Sequence, residues 1–398
     1  MRALAHRNFR LYFGGQAVSI LGSWIQQVAL AWLVYRLTGS AALLGITAFC
    51  GLIPQLLVGP LAGAWIDKQD KKKWLIGIQS LMALQAFVLA FLCWSEAIGT
   101  VFIVVMALLL GILSSFDSPL RQSLIGSFVD DRHDLPNALA LNAMLFNAGR
   151  FIGPPIAGLL LGLTSEAFCF AINGLSFLAL IIGMLRVRIT PPPRAQGSVG
   201  EVFREGLAYA WQTWTVRTMI LTLIALNLTA SAYAVLLPVF ARDIFAGDAT
   251  TLGWLWGAAG CGAFASTIVL ATRKSAPAVI AVVVGGVTIS ALALLAFAAT
   301  AWLPLALASM VGLGFGISVC NVGINMLLQS MAPEQLRGRI VSFFTSARFG
   351  FDAVGGLLAG FLASAIGARA TLMLEGGLLL VFVVFLTGRR QRLLDQIS

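Results

Sequence analysis

The chain has 398 residues, of which 59% are hydrophobic and only 11% are charged. A soluble domain carries about 25% charged residues, so this composition excludes an ordinary soluble protein. The net charge is +10, but the cations stand in short clusters between apolar runs, which argues against nucleic-acid binding and indicates loops at a membrane face.

The apolar runs are long enough to cross a bilayer, whose hydrocarbon core of about 30 Å needs roughly 20 apolar residues per helix. No run alternates with period two, as an outer-membrane barrel would require. In chain order, twelve spans are predicted at 11–35, 42–66, 74–94, 100–120, 137–163, 167–186, 217–240, 251–272, 277–299, 302–330, 339–365 and 370–388. The first run shows no clear cleavage site and is predicted to be a retained span rather than a signal peptide.

One long polar stretch divides the chain. It covers 187–216 and contains Pro191, Pro192 and Pro193. The sequence therefore predicts an all-α membrane protein with a six-helix N-terminal bundle at 1–186, a cytoplasmic linker at 187–216 and a six-helix C-terminal bundle at 217–398.

The distribution of cations predicts the orientation of the chain. Of the 26 Lys and Arg residues, 21 fall on the side that holds both predicted termini and the linker, whereas Arg36, Arg242 and Arg369 fall on the other. Cytoplasmic loops carry an excess of Lys and Arg. We therefore expect a multi-pass protein of the cytoplasmic (inner) membrane with both termini in the cytoplasm.

The sequence offers little for metal, cofactor or catalytic chemistry. Its five cysteines lie within apolar runs and form no CxxC, and its two histidines, His6 and His133, adjoin charged loops. No P-loop of the form GxxxxGK[ST] occurs, so an ion gradient or the substrate's own gradient is expected to supply the energy. We predict neither an enzyme nor a cofactor or metal site.

The loop after the second predicted span carries a specific pattern. Asp70 replaces the second glycine of the motif G-x-x-x-D-[RK]-x-G-[RK]-[RK], and the matching residues are Gly63, Asp67, Lys68, Lys71 and Lys72. This loop resembles the signature loop of the major facilitator superfamily. The resemblance implies a conformational latch between the two halves, and Asp117 and Arg121 are expected to join its charge network. The alternative is a basic loop that only fixes topology.

A glycine-rich pattern in the fifth predicted span resembles the antiporter motif G-x-x-x-G-P-x-x-G-G of the same superfamily. Ala157 replaces one glycine, and the matching residues are Gly149, Gly153, Pro154 and Gly158. The pattern favours export, although close helix packing alone would also explain it.

The whole chain resembles the enterobactin-exporter-like, or transmembrane secretion effector, branch of the superfamily. The resemblance is carried by Asn8–Phe13, Ser19–Trp24, Leu37–Ser40, Asp117–Gln122 and Leu336–Arg339. It implies two pseudo-symmetric bundles, export of a siderophore or drug, and function as a monomer.

Four ionisable residues within the predicted spans are candidates for proton coupling, because intramembrane charges are costly and often functional. They are Arg150, Arg348, Asp352 and Glu375. Arg150 and Arg348 occupy equivalent places in the two halves, and Arg348 and Asp352 are four residues apart, so they share a helix face. The alternatives are a fixed ion pair at Arg348 and Asp352, and snorkelling of Glu375 towards the outer surface.

The fold implied by the resemblance places spans one, four, seven and ten around a central substrate cavity. Polar candidates for its lining are Gln16, Gln26, Gln27, Asn147, Asn227, Tyr233, Asn321 and Asn325. Buried amides of this kind also bond helices to one another. A lining of amides and aromatic rings would suit a bulky amphipathic ligand.

These features predict a proton-coupled exporter (an antiporter) that binds a small amphipathic molecule, such as a siderophore or drug, and works by alternating access. Its expected partners are that molecule, the lipid bilayer and protons, and no nucleic acid. Two alternatives stay open at this point, namely uptake by proton symport and a transporter-like sensor that moves nothing.

Overall fold

The computed structural model describes residues 2–66, 69–188, 213–273, 275–332 and 337–389, and within these ranges the chain is helical and has no strand. Eleven of the described helices are long and apolar enough to cross a membrane. The remaining span consists of two shorter helices. In chain order, the spans are span 1 (Arg7–Thr38), span 2 (Ala41–Leu57, continued by Gly59–Ile66), span 3 (Lys71–Trp94), span 4 (Thr100–Leu124), span 5 (Leu135–Leu163), span 6 (Glu166–Arg186), span 7 (Trp214–Thr229, continued by Tyr233–Val239), span 8 (Ala249–Ala271), span 9 (Ala276–Ala299), span 10 (Leu303–Met331), span 11 (Arg337–Ile366) and span 12 (Ala368–Gly388).

The predicted all-α architecture of twelve spans is confirmed, with two interruptions that the apolar pattern does not show. Span 2 breaks at Val58, whose N–H bonds to the Pro54 carbonyl at 2.7 Å. Pro60 follows and has no N–H to continue the helical ladder. Span 7 is broken at Ala230–Ala232 by a 3₁₀ turn and ends in a π-turn at Phe240–Ile244. Of the predicted linker, 189–212 lies outside the described residues, and Trp214–Val216 already belongs to span 7.

The two halves meet along two pairs of spans, 2 with 11 and 5 with 8. Glycines permit this close approach. A Cβ added at Gly45 would lie 2.9 Å from the Gly356 carbonyl, and one added at Gly158 would lie 2.7 Å from the Ala249 carbonyl and 3.0 Å from the Gly253 Cα. Contacts of this kind let helix backbones pack directly against each other, which replaces the hydrophobic effect inside a membrane.

We call the face where span 1 begins and span 12 ends the near face, and the opposite one the far face. Four hydrogen bonds between described residues of the two halves lie at the far face. They are Tyr35 hydroxyl to Asp243, Arg242 to the Tyr35 carbonyl (3.4 Å), Ala42 N–H to Ser364 (3.0 Å) and Thr250 to the Gly158 carbonyl (3.4 Å). The structure is therefore closed at the far face.

A histidine at the near face links the start of the chain to the loop between spans 4 and 5. The Nε2 atom of His6 lies 2.9 Å from the Asp134 carboxylate, and its Nδ1 atom lies 3.3 Å from that of Asp130. The hydrogen bond to Asp134, followed by the bond to Asp130, raises the pKa of His6 above its usual value of 6.5.

Because the folded-state pKa is the higher one, protonated His6 stabilises the fold below the usual pKa, and this contribution is lost as the pH rises through the raised pKa. We expect His6→Gln to lower the melting temperature at about pH 5.5 and to have a smaller effect at about pH 8.5. Thermal unfolding in detergent measures this, with His133→Gln as the control. An equal loss at both pH values would contradict the linkage.

Candidate substrate cavity

A cavity of about 640 Å³ lies between the two halves. Five of the predicted cavity residues line it, namely Gln26, Gln27, Asn227, Tyr233 and Asn321. Three of the predicted proton-coupling residues line it as well, namely Arg150, Arg348 and Asp352. Spans 1, 4, 7 and 10 contribute as expected. Spans 2, 5, 8 and 11 contribute as well, because they form the interface between the halves and turn one face towards its centre.

Among the described residues, the charged side chains that line the cavity are Arg150, Arg348 and Asp352. All three are partly exposed to the cavity rather than fully buried. No ion pair of 4.0 Å or less joins Asp352 to either arginine within the described chain. The site therefore holds two cations and one anion without a closed salt bridge.

The position of each guanidinium explains why the expected pair of Arg348 and Asp352 stays open. The Arg348 guanidinium lies over the ring of Phe349, 5.2 Å from its centroid, instead of turning back towards Asp352. Arg150, on span 5 of the other half, lies near the hydroxyl of Tyr233 on span 7. The two arginines thus reach the same cavity from opposite halves.

The predicted amide Gln26 serves mainly to hold helices together. It donates to Gln85 on span 3 at 3.1 Å and accepts from Asn173 on span 6 at 2.7 Å, while Gln85 donates to the Met106 carbonyl of span 4 at 3.2 Å. Its neighbour Gln27 is exposed to the cavity instead. The alternative that these amides bond helix to helix therefore describes Gln26, and Gln27 is the glutamine available to a ligand.

The amides of the C-terminal half are also engaged. Asn227 donates to the Leu223 carbonyl at 2.8 Å and accepts from Ser231 at 3.2 Å. Asn321 donates to the Ile317 carbonyl at 3.0 Å, and its Oδ1 lies 3.5 Å from Asn227 Nδ2. These residues form part of the cavity wall, but their polar atoms already have partners.

Four predicted residues lie away from the cavity within the described structure. Gln16 is buried inside the N-terminal half and accepts a bond from Arg121, Asn325 accepts from Gln329 at 3.1 Å, and Asn147 is half-buried on span 5. Glu375 on span 12 is only 4% exposed, so it does not snorkel to the surface. Helical periodicity could not place these side chains, because the spans carry apolar residues on every face.

The residues of the predicted latch are described only in part. Asp67 and Lys68 lie outside the described residues, Gly63 lies in the helix Gly59–Ile66, and Lys71 begins span 3. Lys72 donates to the Val187 carbonyl at 2.7 Å. Asp70, at φ −72°, caps span 3 by accepting the Lys73 N–H at 3.2 Å. The position where the motif has glycine therefore needs no left-handed backbone, and an aspartate suits it.

Asp117 and Arg121 form a buried network inside the N-terminal half. The Arg121 Nε lies 2.7 Å from Asp117, which also accepts from Gln79 at 2.5 Å, while Arg121 donates to Gln16. Both residues are less than a tenth exposed. The partners described for Asp117 are thus on spans 3 and 4, whereas the sequence suggested the basic loop. Charge pairing one turn apart on span 4 explains the difference.

The glycine pattern of span 5 faces two different helices. A Cβ at Gly149 would meet the side chain of Ile20, and one at Gly153 would meet Trp24, both on span 1, whereas Gly158 faces span 8. The Pro154 carbonyl lies 2.6 Å from where a Cβ of Gly253 would stand. The pattern therefore brings span 5 close to span 1 at mid-depth and to the opposite half near the far face.

Sequence reasoning missed the far-face contact of Tyr35 with Asp243 and Arg242. The Arg242 guanidinium also lies 5.8 Å from the Tyr35 ring centroid. Two tryptophans, Trp24 and Trp256, meet edge to face across the halves at 5.9 Å. A possible signal was present, because Arg242 is one of the few cations on the far side and Asp243 adjoins it.

The fold and cavity can be compared with known proteins. A family model described as transmembrane secretion effector matches residues 1–396. This chain belongs to that family. The chain is 30% identical to the multidrug efflux pump Tap of Mycolicibacterium fortuitum over 95% of this chain and 94% of that protein. It is also 30% identical to the staphyloferrin A transporter of Staphylococcus aureus (strain NCTC 8325 / PS 47) over 66% of each chain.

Among solved structures, a bacterial homologue of the human lysosomal transporter Spinster, inward-facing and unoccupied, covers 98% of each chain with a TM-score of 0.76 and 14% identity. This likeness shows the major facilitator fold. The family and the relatives establish that the chain is a multi-pass membrane transporter and not an enzyme.

Proposed function

We propose that the chain exports a small amphipathic molecule as a proton-coupled antiporter that works by alternating access. The observation that carries the proposal is the cavity between the halves, which combines aromatic and aliphatic walls with Arg150, Arg348 and Asp352 near mid-span. Ionisable residues at this depth are expensive, and they commonly mark substrate and ion pathways.

Export is supported by the relatives and by the glycine pattern of span 5. Tap is named for multidrug efflux, and it matches nearly the whole chain. The pattern Gly149, Gly153, Pro154 and Gly158 packs span 5 against both halves, which suits a helix that closes the far face after each release.

The orientation follows from the positive-inside rule. The near face carries most of the cations, so we place it, both termini and the linker in the cytoplasm of an inner membrane. With the far face closed by four hydrogen bonds between the halves, the structure then corresponds to a state that takes its substrate from the cytoplasm. The protein is proposed to act as a monomer.

Asp352 is the proposed proton carrier. It is the acidic residue that lines the cavity among the described residues, and no short ion pair ties it to one arginine. Competition between a proton at Asp352 and the substrate would drive antiport. Glu375, buried outside the cavity, is a less suitable carrier because it lies away from the substrate route.

Uptake with a proton is the second candidate, and the two arginines beside Asp352 favour it. A bound anionic ligand would repel the ionised Asp352 carboxylate. Protonation of Asp352 would remove this repulsion, and both guanidiniums could then pair with the ligand. Proton and ligand would then bind together rather than compete.

Transport in vesicles of both orientations tests these proposals. Everted vesicles, acidified inside, and right-side-out vesicles, acidified outside, are supplied with a panel of siderophores and amphipathic drugs, with vesicles lacking the protein as the control. An antiport exporter accumulates a panel compound in everted vesicles and dissipates the pH gradient, whereas a symporter does so in right-side-out vesicles. Binding of a compound without movement in either would contradict both proposals and indicate a sensor.

A further inference from the structure

We infer that the cavity selects an amphipathic organic anion, a molecule that carries a carboxylate on an aromatic or aliphatic body. The inference rests on the transport function proposed above, and an anionic ligand would favour joint binding with a proton at Asp352. It names the substrate class that the side chains would recognise.

The first argument is the balance of charge. Of the charged side chains described around the cavity, Arg150 and Arg348 carry two positive charges and Asp352 one negative charge. An unbalanced charge in apolar surroundings is unfavourable unless a partner neutralises it. A ligand carboxylate placed between the arginines would neutralise the excess, whereas a cationic ligand would add to it.

The second argument concerns which polar groups remain available. Gln26, Asn227 and Asn321 have their hydrogen bonds within the protein. By contrast, the Arg348 guanidinium makes no hydrogen bond within the described chain and rests on the Phe349 ring. Guanidinium presents a rigid fork of donors that matches a carboxylate, and such charge-assisted bonds are stronger than neutral ones.

The third argument is the position of the arginines in the two halves. Arg150 lies on span 5 and Arg348 on span 11, and both side chains line the same cavity from opposite halves. An anion that contacts both would bridge the N-terminal and C-terminal halves and offset the repulsion between the two cations. The same contact would make binding sensitive to the relative position of the halves.

The rest of the cavity suits an apolar body. Aromatic side chains from both halves line it, namely Trp24, Phe146, Phe177, Tyr233, Trp256 and Phe349. Ligand pockets of about 300–1,000 Å³ hold drug-sized molecules, and the volume of 640 Å³ falls in this range. The expected ligand is therefore larger and more apolar than a simple carboxylic acid.

Three probes that share one aromatic body test the inference. They are 1-naphthylacetate, its neutral methyl ester and the cationic 1-naphthylethylamine, and their binding to the purified full chain in nanodiscs is measured by calorimetry. We expect the acid to bind about tenfold or more tightly than the ester and the amine. Arg150→Gln and Arg348→Gln should each reduce this preference, whereas Arg369→Gln, at the far face outside the cavity, should keep it.

The outcomes separate the inference from the transport function. Equal or tighter binding of the ester or amine would overturn the inference, as would a preference for the acid that survives in both cavity variants. Failure of all three probes to bind would also count against it. If the protein prefers the acid but moves no compound of the panel in vesicles, the inference is supported and the transport function is contradicted. If it moves a panel compound but shows no preference among the three probes, transport is supported and the inference is contradicted.

Discussion

Asp352→Asn is expected to make ligand binding and transport insensitive to pH between about pH 6 and pH 8. In the native protein, coupling to one proton should change transport by at most about tenfold per pH unit over this range. Asparagine keeps the shape and polarity of the side chain but cannot exchange a proton. Ligand affinity and counter-flow are measured across this range in proteoliposomes. The matched control is Asp248→Asn, because Asp248 caps span 8 at the far face, away from the cavity, and asparagine is an equally good cap.

The direction of the native pH dependence separates the two candidate functions. Competition between proton and substrate requires that affinity fall as the pH falls, which is the requirement of antiport. Joint binding requires that affinity rise as the pH falls, and this is the behaviour that the two arginines favour for an anionic ligand. A pH dependence that persists unchanged in Asp352→Asn would show that another group carries the proton, and Glu375 would be tested next by Glu375→Gln.

The twelve spans could be predicted to within a few residues because the bilayer imposes both the length and the helical form of each segment. Backbone groups in hydrocarbon must bond within the chain, so long apolar runs have little choice of structure. The breaks at Val58 and at Ala230–Ala232 were missed because both segments are apolar enough to count as continuous spans, although Pro60 follows the first break and Thr229 and Ser231 mark the second.

The cavity was harder to predict because it depends on which face of each span points inwards. Gln26 and Gln27 show the difficulty: the first is buried between spans 1, 3 and 6, and the second faces the cavity. The spans are apolar all round, so periodicity does not mark an inner face. The three charged residues were easier, because a charge at mid-span has few places other than a polar interior.

The same reasoning explains why the predicted latch at the near face could be proposed from the sequence, whereas the far-face contacts could not. The latch is a prediction from a spaced motif, and two of its residues, Asp67 and Lys68, lie outside the described residues. The far-face contacts depend on single residues from distant parts of the chain, such as Tyr35 with Asp243 and Gly158 with Gly253. Gly158 belongs to the glycine pattern and Asp243 adjoins a far-side cation, but a pattern within one span does not identify the residue that it contacts on another span.

Gly158→Leu is expected to open the far face and to reduce transport about tenfold or more. A Cβ at this position would lie 2.7 Å from the Ala249 carbonyl, 3.0 Å from the Gly253 Cα and 3.1 Å from the Thr250 Cα, and all three are backbone atoms that cannot move aside. Overpacking of this kind costs about 1–3 kcal/mol. Applied to the closed state alone, that free energy shifts the balance of states roughly 5- to 150-fold towards the open far face.

The shift is measured by labelling a cysteine introduced at Ser23, a cavity residue, in a background without the five native cysteines. A charged thiol reagent supplied only at the far face should react about tenfold or more faster in Gly158→Leu than in the parent. Gly377→Leu, at a position on span 12 where no atom lies within 4 Å of an added Cβ, is the matched control and should react at the parent rate. If labelling in Gly158→Leu stays at the parent rate while transport falls, the glycine contact does not control the far face, and closure there would depend instead on the hydrogen bonds of Tyr35, Asp243 and Ser364.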